Sequence, residues 1–356
     1  MPQPAAAVPA RVGEGRRAFI FTMDSLAGYV AGSKTGGAAG ELIVREGLTW
    51  ALGELGFAVD VADSDDAMEA LVGAASGGGA ARYAVFFFDP WTLTDRASRL
   101  RSFLRGREGD VFVLSFFDWA PAAASAELGA AIAQRRVLTA YPCDSGSSFL
   151  GFVVEPNARA LADRAAGRRK RAAGVVWGKR HEYLAGREAM LAALAAQVQL
   201  HFVLARGDAA AVAVAAGAQS LAQFHGAVGR DEWLALLADA RFLLGLGNPL
   251  LGPSAMDALA AGAMYLDPTY DGAGTKPLVP MQAAFASQHP FLRQRVGAPY
   301  VCAIQDVTRL EDVLACVRRA LDTDLEPFVH EDFTRPRLLA RVAEILKSAA
   351  AAKGLL

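Results

Sequence analysis

The stretch RFLLGLGNPLLGPSAMDALAAGAMYLDP, residues 241–268, decides the fold. It begins with a short apolar run ending in glycines, passes through a loop with two prolines, and continues into a helix predicted for residues 254–261. A second apolar run, AMYLDP, follows at once. A strand, a helix and a strand in such close succession form a right-handed βαβ unit with parallel strands. This stretch therefore predicts an α/β fold.

The same alternation of strands and helices continues along the rest of the chain. Predicted strands before this stretch are RRAFIFTM, FAVDVAD, YAVFFFD, DVFVLSFF, GVVWGK, QLHFVLA and SLAQFHG. Further helices are predicted for residues 41–55, 182–196, 231–240, 310–321 and 337–350. The alternation breaks between residues 141 and 174, which divides the chain into two α/β halves of similar size.

A chain of 356 residues is long for a single hydrophobic core. We therefore predict two Rossmann-like domains that face each other across a cleft. The predicted boundaries are a disordered lead (1–15), an N-terminal domain (16–150), a linker (151–173), a C-terminal domain (174–335) and a final helix (336–356). Ligands of open α/β sheets bind outside the carboxyl ends of the strands, so the cleft is the expected site.

The composition argues against several classes of protein. The formal charge of −1 lacks the strongly basic balance of a nucleic-acid-binding protein. Residues 1–15 lack the continuous apolar core of a signal peptide, and no uncharged apolar run reaches membrane-spanning length. The three cysteines are odd in number and far apart, so we expect buried free thiols. These features predict a cytoplasmic or otherwise soluble protein without a membrane span or a nucleic-acid partner.

A basic run, RAAGRRKR at residues 164–171, carries five basic side chains in eight residues. Such a run is usually a solvated helix or linker between domains. A targeting signal and a phosphate-binding patch are the alternatives.

The loop and helix of residues 245–257 have features of a nucleotide site. Gly245 and Gly247 would let the backbone approach a ligand closely, and Pro253 and Ser254 lead into a helix whose N-terminus favours an anion. Ser254 and Asp257 also have the spacing of a capping box. Asp257 could therefore reach the hydroxyls of a ribose, or it could simply complement the helix dipole.

Several motifs of the chain, in the same order, resemble the catalytic domain of family 18 glycosyltransferases, a family of N-acetylglucosaminyltransferases. In the N-terminal half the matching motifs are GG-x-x-GEL at residues 36–42 and SFLGFVVE at residues 148–155. In the C-terminal half they are VVWGK at 175–179, GLG-x-P-x-x-GP at 245–253, KP at 276–277, SQHP at 287–290, EPF at 326–328 and DFT at 332–334. The motifs SFLGFVVE and SQHP are the most specific of these.

This resemblance implies a GT-B fold and an inverting, metal-independent transfer of N-acetylglucosamine from UDP-GlcNAc to a hydroxyl of a glycan acceptor. It implies no cofactor and no metal site. By position in the motifs, Glu41 corresponds to the catalytic base, Lys276 to the lysine at the donor diphosphate, and Asp257 to the residue that holds the ribose. Lys179 and His289 are further candidates for contacts with the donor, although His289 could instead fix its own loop.

The chain departs from the family pattern at two positions. Asp257 and Leu251 both stand where the family carries a glutamate. The alternatives are therefore a GT-B transferase with a different nucleotide sugar and a non-catalytic protein that binds a nucleotide sugar or a glycan.

One further rival comes from GYVAGSKT, residues 28–35, which nearly matches a P-loop. Ser33 replaces the glycine that would let the backbone wrap around a phosphate, so a P-loop NTPase is a weaker hypothesis.

Overall fold

The structure, a computed structural model, describes most of the chain. The described residues are 12–21, 40–73, 83–95, 100, 104, 106–116, 136–143, 145–177, 184, 186–203, 221–226, 228–246, 250–269 and 285–351. They divide into two compact units. The first runs to Val153 and resumes at Glu331, and the second extends from Val154 to His330.

Within the described ranges, twelve strands form two six-stranded sheets whose strand pairings are all parallel. The first sheet has the order β2-β1-β3-β4-β5-β6, and the second has the order β12-β11-β10-β7-β8-β9. The strands are β1 (Arg17–Phe21), β2 (Ala58–Ala62), β3 (Tyr83–Phe88), β4 (Val111–Ser115), β5 (Val137–Thr139), β6 (Ser148–Phe149), β7 (Ala173–Trp177), β8 (Gln199–Val203), β9 (Ala222–Phe224), β10 (Phe242–Gly245), β11 (Met264–Pro268) and β12 (Val301–Ile304).

The described helices connect and cover these strands. They are α1 (Gly40–Glu54), α2 (Asp65–Gly73), α3 (Pro90–Asp95), α4 (Ala158–Ala165), α5 (Glu188–Ala195), α6 (Arg230–Asp239), α7 (Ser254–Ala260), α8 (Pro290–Arg295), α9 (Leu310–Asp322) and α10 (Arg335–Ala351). No helix in the described ranges has the length and hydropathy that a membrane crossing requires.

Aromatic side chains fill the core of the first unit. Phe19, Phe86 and Phe88 from neighbouring strands β1 and β3 are fully buried, with ring centroids 5.9–6.4 Å apart. Parallel strands are buried on both faces, which is why these runs are continuously apolar. The second unit has an aliphatic and aromatic core of the same kind, in which Phe202 and Leu244 are fully buried.

The SFLGFVVE motif and the last helix pack together in the first unit. Gly151 has φ +77°, a conformation that glycine adopts without strain. The Arg341 guanidinium of α10 donates a 2.9 Å hydrogen bond to the Leu150 carbonyl and lies 4.3 Å from the centre of the Phe149 ring. Phe152 packs against Phe333, with ring centroids 4.8 Å apart. This specific motif therefore has a packing role.

The structure confirms two parallel α/β sheets, but the sequence did not predict which unit residues 158–165 and the last helix belong to. Residues 158–165, placed in a linker, form α4 within the second unit. The C-terminal helix α10 belongs to the first unit and packs against α1, where the Arg335 guanidinium lies 5.3 Å from the centre of the Trp50 ring. The packing of α10 back onto the first unit depends on contacts between residues far apart in sequence, which local sequence patterns do not encode.

The expectation of three free thiols is wrong. Cys302 of β12 and Cys316 of α9 form a disulfide, whereas Cys143 is free. The two bonded residues are 14 positions apart, and the return of α9 onto β12 brings them together. The odd number of cysteines argued against a disulfide in the sequence, because it includes Cys143, which belongs to the other unit and takes no part in the pair.

We expect this disulfide to stabilise the second unit. Closing a loop of this length contributes about 3 kcal/mol in the chain-entropy description, so Cys302→Ala/Cys316→Ala should lower the free energy of unfolding by roughly that amount. Thiol titration of the unreduced, denatured protein should find Cys143 alone. Cys143→Ala is the control, and three reactive thiols before reduction would contradict the pairing.

Candidate active site

The carboxyl ends of β10 and β11 form the edge of the second sheet where a donor nucleotide is expected. Gly245 is the last residue of β10, and a Cβ atom there would lie 2.5 Å from the Tyr265 hydroxyl of β11. A glycine is therefore needed at this position for packing, whether or not a ligand also approaches it. The loop that follows β10 leads to Pro253 and then to α7, which is entirely buried.

The SQHP segment is fastened to this edge by backbone hydrogen bonds. The Gln288 N–H donates to the Pro268 carbonyl at 3.0 Å, and the Leu251 N–H donates to the Gln288 carbonyl at the same distance. Leu251 has φ +63°, an unusual conformation for a bulky side chain that costs about 1–3 kcal/mol. The segment thus holds the loop before α7 in a strained shape.

His289 lies at the centre of this connection. Its side chain is buried, Nδ1 accepts a hydrogen bond from the Leu292 N–H at 3.3 Å, and the ring also interacts with the Gly252 backbone. Burial lowers the pKa of His289 to about 3, so the ring is neutral at ordinary pH. These contacts fix the loop. A contact between His289 and the donor stays a prediction.

A buried ion pair, which the sequence did not predict, secures the end of β11. Asp267 is fully buried, and its Oδ2 accepts a 2.6 Å hydrogen bond from Arg293 Nε of α8. Its Oδ1 accepts the His289 N–H at 2.9 Å. Burial raises the pKa of Asp267, and Arg293 opposes this shift. Ion pairing at buried carboxylates depends on tertiary contacts, so a sequence pattern could not have identified the partner.

Asp257 lies in α7 and is held by two residues of α6. Its Oδ1 and Oδ2 accept hydrogen bonds from the Arg230 guanidinium at 2.7 and 2.5 Å, and Oδ2 also accepts the Trp233 indole N–H at 3.1 Å. The Asp257 side chain is 4% exposed, whereas that of Arg230 is 42% exposed. This arrangement holds the carboxylate of Asp257 in one fixed position against α6.

The capping box predicted from Ser254 and Asp257 is wrong. Ser254 is the first helical residue of α7, and the cap position is Pro253, which makes no side-chain hydrogen bond. The Pro253 carbonyl accepts the Asp257 N–H at 3.2 Å. Asp257 turns toward Arg230 instead, because a bidentate ion pair is stronger than a single hydrogen bond to the backbone.

Glu41 lies in the first turn of α1, in the first unit. It is exposed and has no ion-pair partner among the described residues. The preceding Gly40 starts the helix, and a Cβ atom there would lie 2.5 Å from the Phe116 ring. Because Gly40 has no side chain, the start of α1 can pack against the Phe116 ring, which directly follows β4. This packing positions the backbone of Glu41.

Several predicted residues lie outside the described ranges. They are Lys179, Gly247 and Lys276, and the P-loop-like residues 28–35. The structure thus brings together Gly245, Pro253, Ser254, Asp257 and His289 around one edge, and it adds Arg230, Trp233, Asp267 and Arg293 to them.

Comparisons with known proteins agree with this fold. The sequence profile described as Glycosyltransferase family 18 matches residues 20–351. The chain is 25% identical over 211 residues to alpha-1,6-mannosylglycoprotein 6-beta-N-acetylglucosaminyltransferase A of Homo sapiens. It is 26% identical over 222 residues to alpha-1,6-mannosylglycoprotein 6-beta-N-acetylglucosaminyltransferase of Caenorhabditis elegans.

The match to the Homo sapiens relative covers 57% of this chain and 28% of that relative. The match to the Caenorhabditis elegans relative covers 60% of this chain and 32% of that relative. Among solved structures, AviGT4, a glycosyltransferase involved in avilamycin A biosynthesis, is similar with a TM-score of 0.52 and 13% identity. That match covers 94% of this chain and 98% of AviGT4. It shows a shared fold.

Proposed function

The chain belongs to glycosyltransferase family 18, and from this membership we propose that it transfers N-acetylglucosamine from UDP-GlcNAc to a hydroxyl of a glycan acceptor. It is a glycosyltransferase with a two-unit α/β fold of the GT-B type. The observation that carries the choice of sugar is the match to relatives that are named N-acetylglucosaminyltransferases.

The edge formed by β10, β11 and α7 supports a donor site in the second unit. Asp257 is presented in one orientation by Arg230 and Trp233. Among the described residues, its Oδ1 accepts a hydrogen bond from Arg230 only, which leaves one lone pair of this oxygen without a donor. We propose that a ribose hydroxyl donates to it. The aspartate side chain is shorter than the family's glutamate. We therefore propose that a small shift of the ribose, or a bridging water, makes up the difference.

We propose a single displacement with inversion at the sugar. The acceptor hydroxyl oxygen attacks C1 of N-acetylglucosamine, its proton passes to the Glu41 carboxylate, and the C1–O bond to the diphosphate breaks so that UDP leaves with the electron pair. A positioned carboxylate accelerates such a step by removing the proton as the new bond forms. The exposed position of Glu41 in the first turn of α1 leaves its carboxylate available for this role.

Metal independence requires other positive charges at the diphosphate, which gains negative charge as it leaves. We propose that Lys276 supplies this charge and that Lys179 is a second contact.

We expect Lys276→Ala to weaken UDP binding by about 10- to 100-fold, since a charged hydrogen bond contributes roughly 1.5–3 kcal/mol. Isothermal titration with UDP in EDTA measures this change. Lys347→Ala is the matched control, because Lys347 is exposed on α10 in the other unit. Equal affinities of the two variants would remove Lys276 from the donor site.

A non-catalytic protein that binds a nucleotide sugar or a glycan is the second candidate. Leu251 and Asp257, which replace two glutamates of the family pattern, favour it. Tight binding of UDP-GlcNAc without transfer or hydrolysis would support this candidate over the enzyme.

A further inference from the structure

The amino ends of the strands form the opposite edge of the second sheet, away from the candidate active site. The basic run of residues 164–171 lies here, because Arg171 is two positions before the first residue of β7 and its N–H donates to the Asp239 carbonyl at the end of α6. Helix α4 belongs to the same edge. Its Arg159 pairs with Asp239 at 2.8 Å, and Arg164 donates to the Leu325 carbonyl beyond the end of α9.

This edge contains a cavity of about 560 Å³ lined largely by charged side chains. Its lining carries six basic and four acidic residues: Arg159, Arg164, Arg168, Arg169, Lys170, Arg171, Asp163, Asp239, Asp324 and Glu326. We call these ten residues, together with the amino ends of the strands of the second sheet, the basic edge. Ion pairs account for all four acidic residues.

Two exposed arginines of the basic edge take no part in these ion pairs. Arg169 and Arg171 have no ion-pair partner among the described residues. Lys170, which lies between them, instead donates to the Leu237 and Ala240 carbonyls at 3.0 and 2.8 Å. Burial lowers the pKa of Lys170 to about 7, so this side chain is only partly charged near neutral pH. Arg169 and Arg171 stay fully charged there and supply the positive charge that the ion pairs leave over.

Exposed leucines accompany these charges. Only three large hydrophobic side chains in the described ranges are exposed, namely Val61, Leu161 and Leu221. Leu161 is 46% exposed on α4, and Leu221 is 50% exposed immediately before β9. Leu161 lies three residues before Arg164, a cavity-lining residue of the same helix, and Leu221 lies at the amino end of β9, on the same side of the parallel sheet as the amino end of β7. We therefore include both leucines in the basic edge.

We propose that the basic edge docks the second unit onto the surface of a bilayer that contains anionic lipids. The negative surface potential of such a bilayer attracts the arginines, while the exposed leucines enter the boundary between headgroups and acyl chains. The binding of a protein surface to a bilayer strengthens with the apolar area that it buries and with its electrostatic attraction to anionic lipids, and this edge offers both. A small soluble anion would use the arginines but would leave Leu161 and Leu221 in water.

The two arginines carry a large part of the expected affinity. Each basic side chain close to an anionic surface strengthens partitioning by about fivefold. Arg169→Ser/Arg171→Ser should therefore weaken binding by roughly 30-fold. Both side chains are exposed, so these substitutions leave the core intact. Leu161→Ser/Leu221→Ser should weaken binding independently, because it removes the apolar contribution and leaves the charge unchanged.

Vesicle co-sedimentation of the full chain tests this docking. Vesicles of phosphatidylcholine alone are compared with vesicles that also contain phosphatidylserine, at low and at high salt. The matched control is Arg16→Ser/Lys347→Ser, which removes the same charge from two exposed positions of the first unit.

We expect the protein to bind vesicles that contain phosphatidylserine and expect high salt to weaken this binding. Arg169→Ser/Arg171→Ser and Leu161→Ser/Leu221→Ser should each reduce the binding, whereas the control pair should change it by less than about threefold. Docking is overturned if the control pair and Arg169→Ser/Arg171→Ser lose equal affinity, or if phosphatidylserine does not promote binding. Binding of inorganic polyphosphate without sedimentation on the anionic vesicles would also overturn it and would assign the basic edge to a soluble anion.

Discussion

Glu41→Gln is expected to lower kcat by a factor of about 10² to 10⁴ and to leave the affinity for UDP-GlcNAc unchanged. The amide has nearly the shape of the carboxylate but cannot accept the acceptor's proton, and general-base catalysis contributes a factor of this size. Glu41 is exposed and makes no ion pair among the described residues, so the substitution should not alter stability. Donor-dependent UDP release measures kcat, and calorimetry measures affinity.

Glu46→Gln provides the control for this substitution. Glu46 is also exposed on α1, five residues further along the helix, so the two variants change charge equally. Only Glu41→Gln should lose turnover. Full activity of Glu41→Gln, or an equal loss in both variants, would remove Glu41 from the role of base.

Asp257→Ala is expected to have the second large effect, because it removes both the proposed ribose contact and an internal connection. The buried Trp233 indole N–H would lose its acceptor, which costs about 1–3 kcal/mol. The half-exposed Arg230 would be rehydrated, so the lost ion pair adds little. We expect a free energy of unfolding lower by about 2 kcal/mol and UDP binding at least tenfold weaker.

Two further variants separate these consequences. Asp231→Ala removes one exposed carboxylate at the start of α6 and should change neither stability nor affinity. Trp233→Phe removes the indole donor but keeps the Arg230–Asp257 pair, so it should lower stability more than UDP affinity. If Asp257→Ala binds UDP as tightly as the unaltered protein, Asp257 has only a packing role.

The fold could be predicted from sequence where the periodicity is local. The apolar runs that became β1, β3, β7, β10 and β11 are buried on both faces and continuous, which is the pattern that a parallel sheet imposes. The two-residue strand β6 and the three-residue strand β5 are too short to show any period. The return of α10 to the first unit depends on contacts with residues almost 200 positions away, such as the Arg341 bond to Leu150.

The candidate site was predictable to a smaller extent. The motifs pointed to Asp257 and His289, and the structure places both at the expected edge of the second sheet. Their partners could not be deduced, because Arg230, Trp233 and Arg293 come from helices whose packing decides which side chains meet. A basic residue and an indole at the start of α6 were visible in RDEW, residues 230–233, but nothing local connected them with Asp257.

The most direct test of the proposed function is calorimetric titration of the full chain, in EDTA, with UDP-GlcNAc, UDP-galactose, UDP-glucose and GDP-mannose. We expect UDP-GlcNAc to bind most tightly, with no added metal and with the other UDP-sugars weaker. Preference for GDP-mannose, or binding that appears only after a divalent metal replaces EDTA, would contradict a metal-independent transferase that uses UDP-GlcNAc.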